Sequence, residues 1–353
     1  MLASTGTEPL GHGRTDEGRI RSIGMLRHAP LAWLLAAALI TVAFASALGP
    51  RGALSSLLPD DPIELRILTE VRLPRVSLGF LAGAALAMAG MAFQALFRNA
   101  LATPYTLGVS AGASLGAAIY VHAGITASLA GIPGHAFAAL AGAMLSIGLV
   151  YAVARATTGF SSSTLLLAGV AISFLFTSVI LAIQYVGDVT TSFRIGRWLL
   201  GGLEVVGFVP VLHLLPFAVI GIGILLAISR ELDLLVIGEE SAAARGVPVV
   251  AVKQLVFAAA SLMVGGVVAT CGPIGFVGLV VPHIGRIALG PRHRTLGPFS
   301  VLAGGTFLVA CDTVGRTVVA PVEIPVGIVT ALIGGPFFLA MLVHGHARQR
   351  LRG

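Results

Sequence analysis

Long apolar runs alternate with short polar segments along most of the chain, beginning near residue 30. Breaks in hydropathy predict ten apolar helices, and most of the runs approach the roughly 20 residues that a bilayer span requires. The eighth run is short and contains Pro282 and His283, so it is the one least able to cross fully. The approximate limits are 30–48, 74–97, 104–123, 133–155, 163–186, 208–228, 250–270, 275–290, 297–318 and 325–344.

Composition supports this pattern. Of the 353 residues, 56% are hydrophobic and 10% are charged, whereas a soluble domain carries about 25% charge. These values exclude a soluble enzyme and a disordered chain. The sequence pI of about 10.4 would suit nucleic acid, but the 22 Lys and Arg residues are scattered rather than clustered. We therefore predict an all-α, polytopic membrane protein with about ten transmembrane helices, in contact with membrane lipid and with no nucleic-acid partner.

The predicted domain organisation has three parts. Residues 1–29 form a polar cytoplasmic tail, 30–345 a transmembrane domain, and 346–353 a basic cytoplasmic tail. The first apolar run ends in Ala45-Ser46-Ala47, which resembles a signal-peptidase site. The run is long for a signal peptide and follows a long polar tail, so we expect this helix to be retained.

Charge asymmetry orients the helices. With the amino terminus in the cytoplasm, the larger share of the 22 basic residues falls in cytoplasmic segments, whereas acidic residues divide almost evenly. Short cytoplasmic loops of membrane proteins are enriched in Lys and Arg. We therefore predict that both termini are cytoplasmic, which agrees with an even number of spans.

Several motifs with possible chemistry receive a structural interpretation. Lys253 is the only lysine and follows no glycine-rich loop, so no Walker A nucleotide site is present. Gly108–Gly112 matches G-x-S-x-G but falls in a predicted helix rather than at a strand-to-helix elbow. Cys271, Cys311 and His283 lie in apolar runs without metal-ligand spacing. We predict no catalytic residue, metal or cofactor in this chain.

Glycines and carboxylates give two further expectations. Gly79 and Gly83 are spaced for close helix packing in lipid, as are the glycines of the 108–116 run.

Asp312 is the only carboxylate well within an apolar run, and Glu323 lies in the turn before the last one. A secondary carrier usually needs more polar groups at depth, so that class is the less favoured alternative.

A series of short motifs runs in a fixed order from about residue 30 to 345. They are Arg72–Arg75, Gly83–Ala87, Phe97–Ala102, Leu107–Gly112, Leu165–Val170, Gly238–Glu240, Ala244–Val247, Gly272–Leu279, Val281–His283 and Glu323–Gly327. Together they resemble the FecCD family, the membrane subunits of bacterial importers for iron complexes and vitamin B12. One departure is Ala100, because the family usually has Pro after the Asn.

The resemblance implies a homodimer of ten-helix permease subunits in the bacterial inner membrane, with the pathway at the dimer interface. Two ABC ATPase subunits, which hold ATP and Mg, would dock inside, and a periplasmic substrate-binding protein would dock outside. An iron complex, either a ferric siderophore or haem, is the favoured substrate because iron systems are common in the family. Vitamin B12 (cobalamin) is the alternative.

The cytoplasmic loop at about 229–249 contains a predicted short helix from Gly238 to Arg245. Its acidic residues lie at the amino end and its arginine at the carboxyl end, both favourable to the helix dipole. By themselves the residues fit a solvated loop, whereas the resemblance implies a coupling helix that contacts the ATPase. The proposed coupling residues are Gly238, Glu239, Glu240, Ala243, Arg245 and Gly246.

Five arginines are candidates on the outer side. Arg72, Arg75 and Arg316 fit interfacial anchors, and the resemblance implies docking on acidic residues of the binding protein. Burial in lipid would cost each a few kcal/mol, so we expect them to face water or a partner. Arg194 and Arg197 follow the fifth run, near the expected pathway mouth, where they could attract an anionic ligand.

Three serines, Ser161, Ser162 and Ser163, precede the fifth run. Small hydroxyl side chains at this position favour a helix N-cap. The resemblance implies a second role, because the family narrows its pathway at this cytoplasmic turn. We predict that the three serines contribute to a cytoplasmic gate.

Overall fold

The computed structural model describes residues 34–47, 61–129, 132–157 and 161–350. Apart from loops and a hairpin in which Ser128–Leu129 pairs antiparallel with Ile132–Pro133, the chain in these ranges is helical. The all-α prediction is therefore confirmed for the described residues. The predicted tail 1–29 lies outside them, as do residues 351–353 of the predicted basic tail.

The described helices are numbered here in chain order. They are α1 Leu34–Ala47, α2 Pro62–Leu96, α3 Val109–His122, α4 Gly134–Ala156, α5 Ser162–Val186, α6 Val189–Leu199, α7 Val209–Ala227, α8 Ser229–Ile237, α9 Glu239–Ala244, α10 Val249–Cys271, α11 Val277–Leu289, α12 His293–Thr317 and α13 Val326–Arg350. Leu68–Arg72 within α2 is a π-helical turn, and Pro104–Leu107 before α3 is a 3₁₀ turn.

Six of the described helices, α2, α4, α5, α7, α10 and α12, are long and apolar enough to span a membrane. The helices α1, α3 and α11 and the Val326–Met341 part of α13 are apolar but shorter. These helices coincide with the ten predicted runs. In the described residues, the apolar parts of α1, α3, α11 and α13 fall short of a bilayer span, so the count of ten crossings stays a prediction.

The hydropathy pattern did not predict three helical segments that mix polar with apolar residues. Helix α2 begins well before the predicted limit at 74, because Asp61 caps it by accepting a hydrogen bond from the Ile63 N–H at 2.9 Å. Helices α6 and α8 occupy segments that were predicted as loops. Asp188 caps α6 through hydrogen bonds with Thr191, which lower the pKa of the Asp188 carboxyl.

Helices α2 and α10 form the centre of the helical packing. In their most apolar stretches, 83% and 72% of the residues are buried, against 22% in α4, α5 and α7. A Cβ atom on Gly83 would overlap the backbone of Gly304 in α12, and one on Gly112 would overlap Gly142 in α4. The predicted role of these glycines in close helix packing is therefore confirmed.

The short eighth run forms α11, whose interior contains Pro282. A proline inside a helix leaves the carbonyl four residues earlier without its usual donor. The carbonyl of Gly278 is in that position, and it accepts a hydrogen bond from Gln94 Nε2 of α2 at 3.1 Å. The buried side chain of Gln94 therefore satisfies this carbonyl, and its own Oε1 accepts a hydrogen bond from Arg286 Nη2.

Candidate functional site

A cluster of two arginines and two carboxylates joins α2, α12 and the loop before α13. It consists of Arg75, Asp312, Arg316 and Glu323, and is called the arginine–carboxylate cluster below. Arg75 Nη2 lies 2.9 Å from Asp312 Oδ1, and Arg75 Nη1 lies 2.7 Å from Glu323 Oε2. Arg316 Nε donates to Asp312 Oδ2 at 3.1 Å. Each arginine thus has a carboxylate partner within the same chain.

The cluster corrects the expectation that Arg75 and Arg316 face water or a partner protein. Their exposed fractions are 9% and 8%, and that of Asp312 is 4%. Burial is tolerated because bidentate, charge-assisted hydrogen bonds replace water around the guanidinium groups. Arg72, in the π-helical turn three residues before Arg75, is partly exposed.

The cluster also contacts α1. Arg316 Nη2 donates a hydrogen bond to the carbonyl of Ala45 at 3.2 Å. Ala45, Ser46 and Ala47 are 1%, 2% and 7% exposed. The segment that resembles a signal-peptidase site is therefore packed against the rest of the chain.

A cavity of about 730 Å³ opens beside the cluster. Arg75 and Glu323 line it together with Arg197 of α6 and Glu204 of the following loop. Arg197 Nη2 lies 2.9 Å from Glu204 Oε2, and both side chains are more than half exposed. The remaining walls are apolar and are formed by Val71, Phe193, Val205, Val206, Val322 and Pro325. We call this space the mouth cavity.

The mouth cavity is lined by arginines that the sequence analysis assigned to different roles. Arg75 was predicted to dock the binding protein, and Arg197 was predicted to lie at the pathway mouth. Arg194 is exposed on α6 but does not line this cavity. The two arginines of the cavity are each paired with a carboxylate, so the charges of its lining residues balance. Attraction of an anionic ligand by Arg194 and Arg197 stays a prediction.

The loop between α6 and α7 is held in place by backbone hydrogen bonds. Pro74 lacks an N–H and so leaves the Glu70 carbonyl without its usual helical donor. The N–H of Gly207 donates to that carbonyl at 2.7 Å, and the N–H of Gly202 donates to the carbonyl of Cys271 at 2.8 Å. These bonds fix the wall of the mouth cavity against α2 and α10.

Residues 229–246, which comprise α8 and α9 and are called the coupling segment below, lie beside the opposite end of α12. The predicted short helix is confirmed as α9, with Glu239 and Glu240 in its first turn. The backbone leaves this helix through Gly246, whose φ of +81° favours glycine. Glu240, Ala243, Arg245 and Gly246 are exposed, and Gly238 and Glu239 are half-buried.

One ion pair and one pair of hydrogen bonds to a carboxylate brace the coupling segment. Lys253 of α10, whose side chain is only 4% exposed, contacts both carboxylate oxygens of Glu239 at 3.0 and 3.1 Å. Asp233 Oδ1 of α8 accepts a hydrogen bond from the His293 N–H at 2.8 Å and lies 2.7 Å from His293 Nδ1. Sequence reasoning missed both pairs, because their partners come from helices that the loop motif does not include.

The three serines before α5 have distinct surroundings. Ser161 is the N-cap, since its Oγ accepts from the Thr164 N–H at 3.1 Å. Ser162 Oγ donates to the carbonyl of Leu96 at the end of α2 at 3.0 Å, whereas Ser163 is exposed. The N-cap interpretation is confirmed for Ser161, and the gate stays a prediction.

The structural interpretation of the remaining motifs agrees with the geometry. Ser110 is buried in the first turn of α3, after a 3₁₀ turn rather than a strand. A cavity of about 260 Å³ beside Ser110 contains no histidine or carboxylate among its described lining residues. Cys271 and Cys311 are free and buried. His283 lies edge-on to the ring of Phe337, with 6.1 Å between ring centroids.

The described chain thus has the features of a multi-span membrane protein, with an exposed short helix braced at one end of the helix bundle and an open cavity at the other. The model of the FecCD transport family matches residues 31–344. The chain belongs to this family, whose members are the membrane permease components of ABC importers. The ATPase activity of such importers lies with a separate subunit.

Two relatives and one solved structure illustrate the similarity. The cobalamin import system permease protein of Halobacterium salinarum is 43% identical over 78% of this chain and 73% of its own length. The hemin transport system permease protein of Yersinia pestis is 37% identical over 79% of this chain and 83% of its own. A metal-chelate type ABC transporter in an inward-facing conformation matches with a TM-score of 0.82 and 30% identity, covering 90% of this chain and 99% of that one.

Proposed function

We propose that this chain is the permease subunit of a binding-protein-dependent ABC importer that moves a metal chelate into the cytoplasm. The observation that carries the proposal is the family match over residues 31–344, together with the exposed and braced helix α9. An isolated helix of six residues is unstable in water, so the ion pair with Lys253 is needed to hold α9 in place. A helix that is held in place and exposed is suited to contact with an ATPase.

The proposed assembly is a homodimer with ten crossings per subunit and both termini in the cytoplasm. Six long apolar helices and four shorter ones at the predicted positions support this count. Helix α5 is uncharged, and one of its faces carries the exposed side chains Leu167, Phe174 and Leu181. An apolar face without a partner in the subunit supports a dimer interface at α5. That helix joins the predicted serine gate at one end to α6 and the mouth cavity at the other.

Two ABC ATPase subunits would bind the coupling segment, and a periplasmic binding protein would bind at the mouth cavity. The distribution of basic residues supports placing the coupling segment inside. The proposed docking role of Arg72, Arg75 and Arg316 changes because two of these arginines already have carboxylate partners in the same chain. An acidic residue of the binding protein would have to compete with Asp312 and Glu323 for Arg75 and Arg316, and Arg72 is the most exposed of the three arginines.

An iron complex, a ferric siderophore or haem, is the first candidate substrate, and the relative that transports hemin supports it. Cobalamin is the second candidate. It is favoured by the balanced charges of the mouth cavity, because a substrate without strong net charge needs no unpaired arginine for its attraction. The 43% identity with a cobalamin import permease also supports it.

Reconstitution tests the proposal. The chain is purified with the ATPase subunit that co-purifies with it, placed in proteoliposomes with a binding protein, and supplied with ferric hydroxamate, haemin or cyanocobalamin. We expect uptake of one of these probes that requires ATP and stops with an ATPase variant unable to hydrolyse it. Uptake driven by a proton or sodium gradient without ATP would overturn the proposal in favour of a secondary carrier.

A further inference from the structure

The coupling segment is attached to the helix bundle at two points. Glu239 binds Lys253 of α10, and Asp233 binds the first residue of α12, His293. Both attachments are buried on the side of the bundle, because Lys253 and His293 are each 3% exposed. Asp233 receives both the backbone N–H and Nδ1 of His293 on a single carboxylate oxygen. The end of α12 is thereby tied directly to α8.

Helix α12 carries the arginine–carboxylate cluster near its other end. Nineteen residues separate His293 from Asp312, which corresponds to about 28 Å along a helix. Between these points α12 is held against α2, because Gly83 and Gly304 bring the two backbones into contact. A displacement of α12 relative to α10 would therefore act on the coupling segment through the contact between Asp233 and His293.

We propose that Asp233 and His293 are positioning residues that fix the coupling segment to α12, so that movement of the helix bundle and engagement of the ATPase are linked. This inference rests on the proposed function for its transport consequence. The joint itself rests on the two contacts at 2.7 and 2.8 Å. Lys253 with Glu239 is a second support, which keeps α9 attached when the joint is broken.

Four variants test the joint. Asp233→Ala and His293→Ala each remove it, whereas Asp233→Asn keeps an oxygen that can accept both hydrogen bonds. Arg294→Gln is the matched control, because Arg294 is exposed next to His293 in the first turn of α12 and lies outside the coupling segment. Each variant is assayed for uptake of ferric hydroxamate, haemin and cyanocobalamin per ATP hydrolysed. Amide hydrogen exchange is measured on the purified chain in detergent.

We expect Asp233→Ala and His293→Ala to speed exchange in residues 229–237 by about tenfold, the effect of losing one charge-assisted hydrogen bond. Uptake per ATP should fall, ATP hydrolysis should persist, and the double variant should be no worse than either single one. Asp233→Asn should restore most of the coupling. Equal exchange and equal uptake per ATP in Asp233→Ala and Arg294→Gln would overturn the joint. If the wild-type complex shows no ATP-dependent uptake, the proposed function fails, whereas hydrogen exchange still decides the joint.

Discussion

The guanidinium of Arg75 and the carboxylate of Asp312 form a buried ion pair between residues 237 positions apart in the chain, with Nη2 and Oδ1 separated by 2.9 Å. Asp312 also receives Arg316, so one carboxylate is shared between two guanidinium groups. This sharing makes Asp312 the centre of the cluster. Glu323, with 38% of its side chain exposed, is the peripheral member.

Replacing Asp312 with Ala should destabilise the protein strongly. The change leaves Arg75 and Arg316 buried with a single peripheral carboxylate, and removing one partner of a buried pair costs about 3–5 kcal/mol. Glu323→Gln is the matched control and should cost less, because Glu323 is partly solvated. Thermal unfolding in detergent measures both. Equal melting temperatures for Asp312→Ala and wild type would contradict the structural role of the cluster.

Gly83→Ala should loosen the contact between α2 and α12. The added methyl group would overlap the carbonyl of Gly304, which is backbone and has no rotamer to change. Overpacking of this kind costs about 1–3 kcal/mol. Gly148→Ala in α4 is the control, because a Cβ there has no neighbour within 4 Å. Thermal stability in detergent should fall for Gly83→Ala alone.

Docking of a binding protein is better tested at Arg72 than at Arg75. Arg75→Glu would add a third carboxylate to the cluster and disturb the fold, whereas Arg72 is partly exposed. We expect Arg72→Gln to slow association about two- to fivefold and to reduce its dependence on salt, because one attractive charge is lost. Association kinetics at two salt concentrations measure this. An unchanged on-rate would remove Arg72 from the docking surface.

Charge reversal on the coupling helix should uncouple transport without unfolding the chain. Glu240 and Arg245 are exposed, and the interaction of an exposed charge with a helix dipole is worth about 0.3–1 kcal/mol. Glu240→Arg and Arg245→Glu should therefore lower the melting temperature only slightly and lose uptake per ATP hydrolysed. Arg294→Gln, at an exposed position outside the coupling segment, serves as the control. Unchanged uptake per ATP in both reversals would remove α9 from the ATPase interface.

The serine gate is best probed at its exposed member. Ser161 caps α5 and Ser162 binds the carbonyl of Leu96, so both are engaged in holding the helix start. Ser163→Cys should cross-link between the two subunits of the dimer in a nucleotide-dependent manner. Ser178→Cys, an exposed position further along α5, tests whether cross-linking depends on the serine turn. Absence of cross-linking at Ser163 in every nucleotide state would leave these serines with a capping role.

Hydropathy could locate the apolar helices because each transmembrane helix satisfies its own backbone hydrogen bonds and needs only apolar side chains around it. The same criterion could not detect the first turns of α2 or the helices α6 and α8. In α2 this segment carries exposed charges at Glu64, Arg66 and Glu70, whereas α6 and α8 are short and mix polar with apolar residues. Their helical state depends on caps such as Asp61 and on packing against neighbouring helices.

The sequence by itself determined the class of protein, the position of the apolar helices and the short helix α9, because these depend on local composition and on residues close together in the chain. Only the tertiary structure decided which charges meet. Arg75 and Arg316 were expected to face water or a partner, and Asp312 and Glu323 were noted separately, but helix packing brings all four into one cluster. The contact between Asp233 and His293 is likewise made by the packing of two helices. The sequence does not reveal such pairs, because a buried charge must be paired with an opposite charge or a hydrogen-bond partner. Helix packing decides which group lies within the necessary distance of about 4 Å.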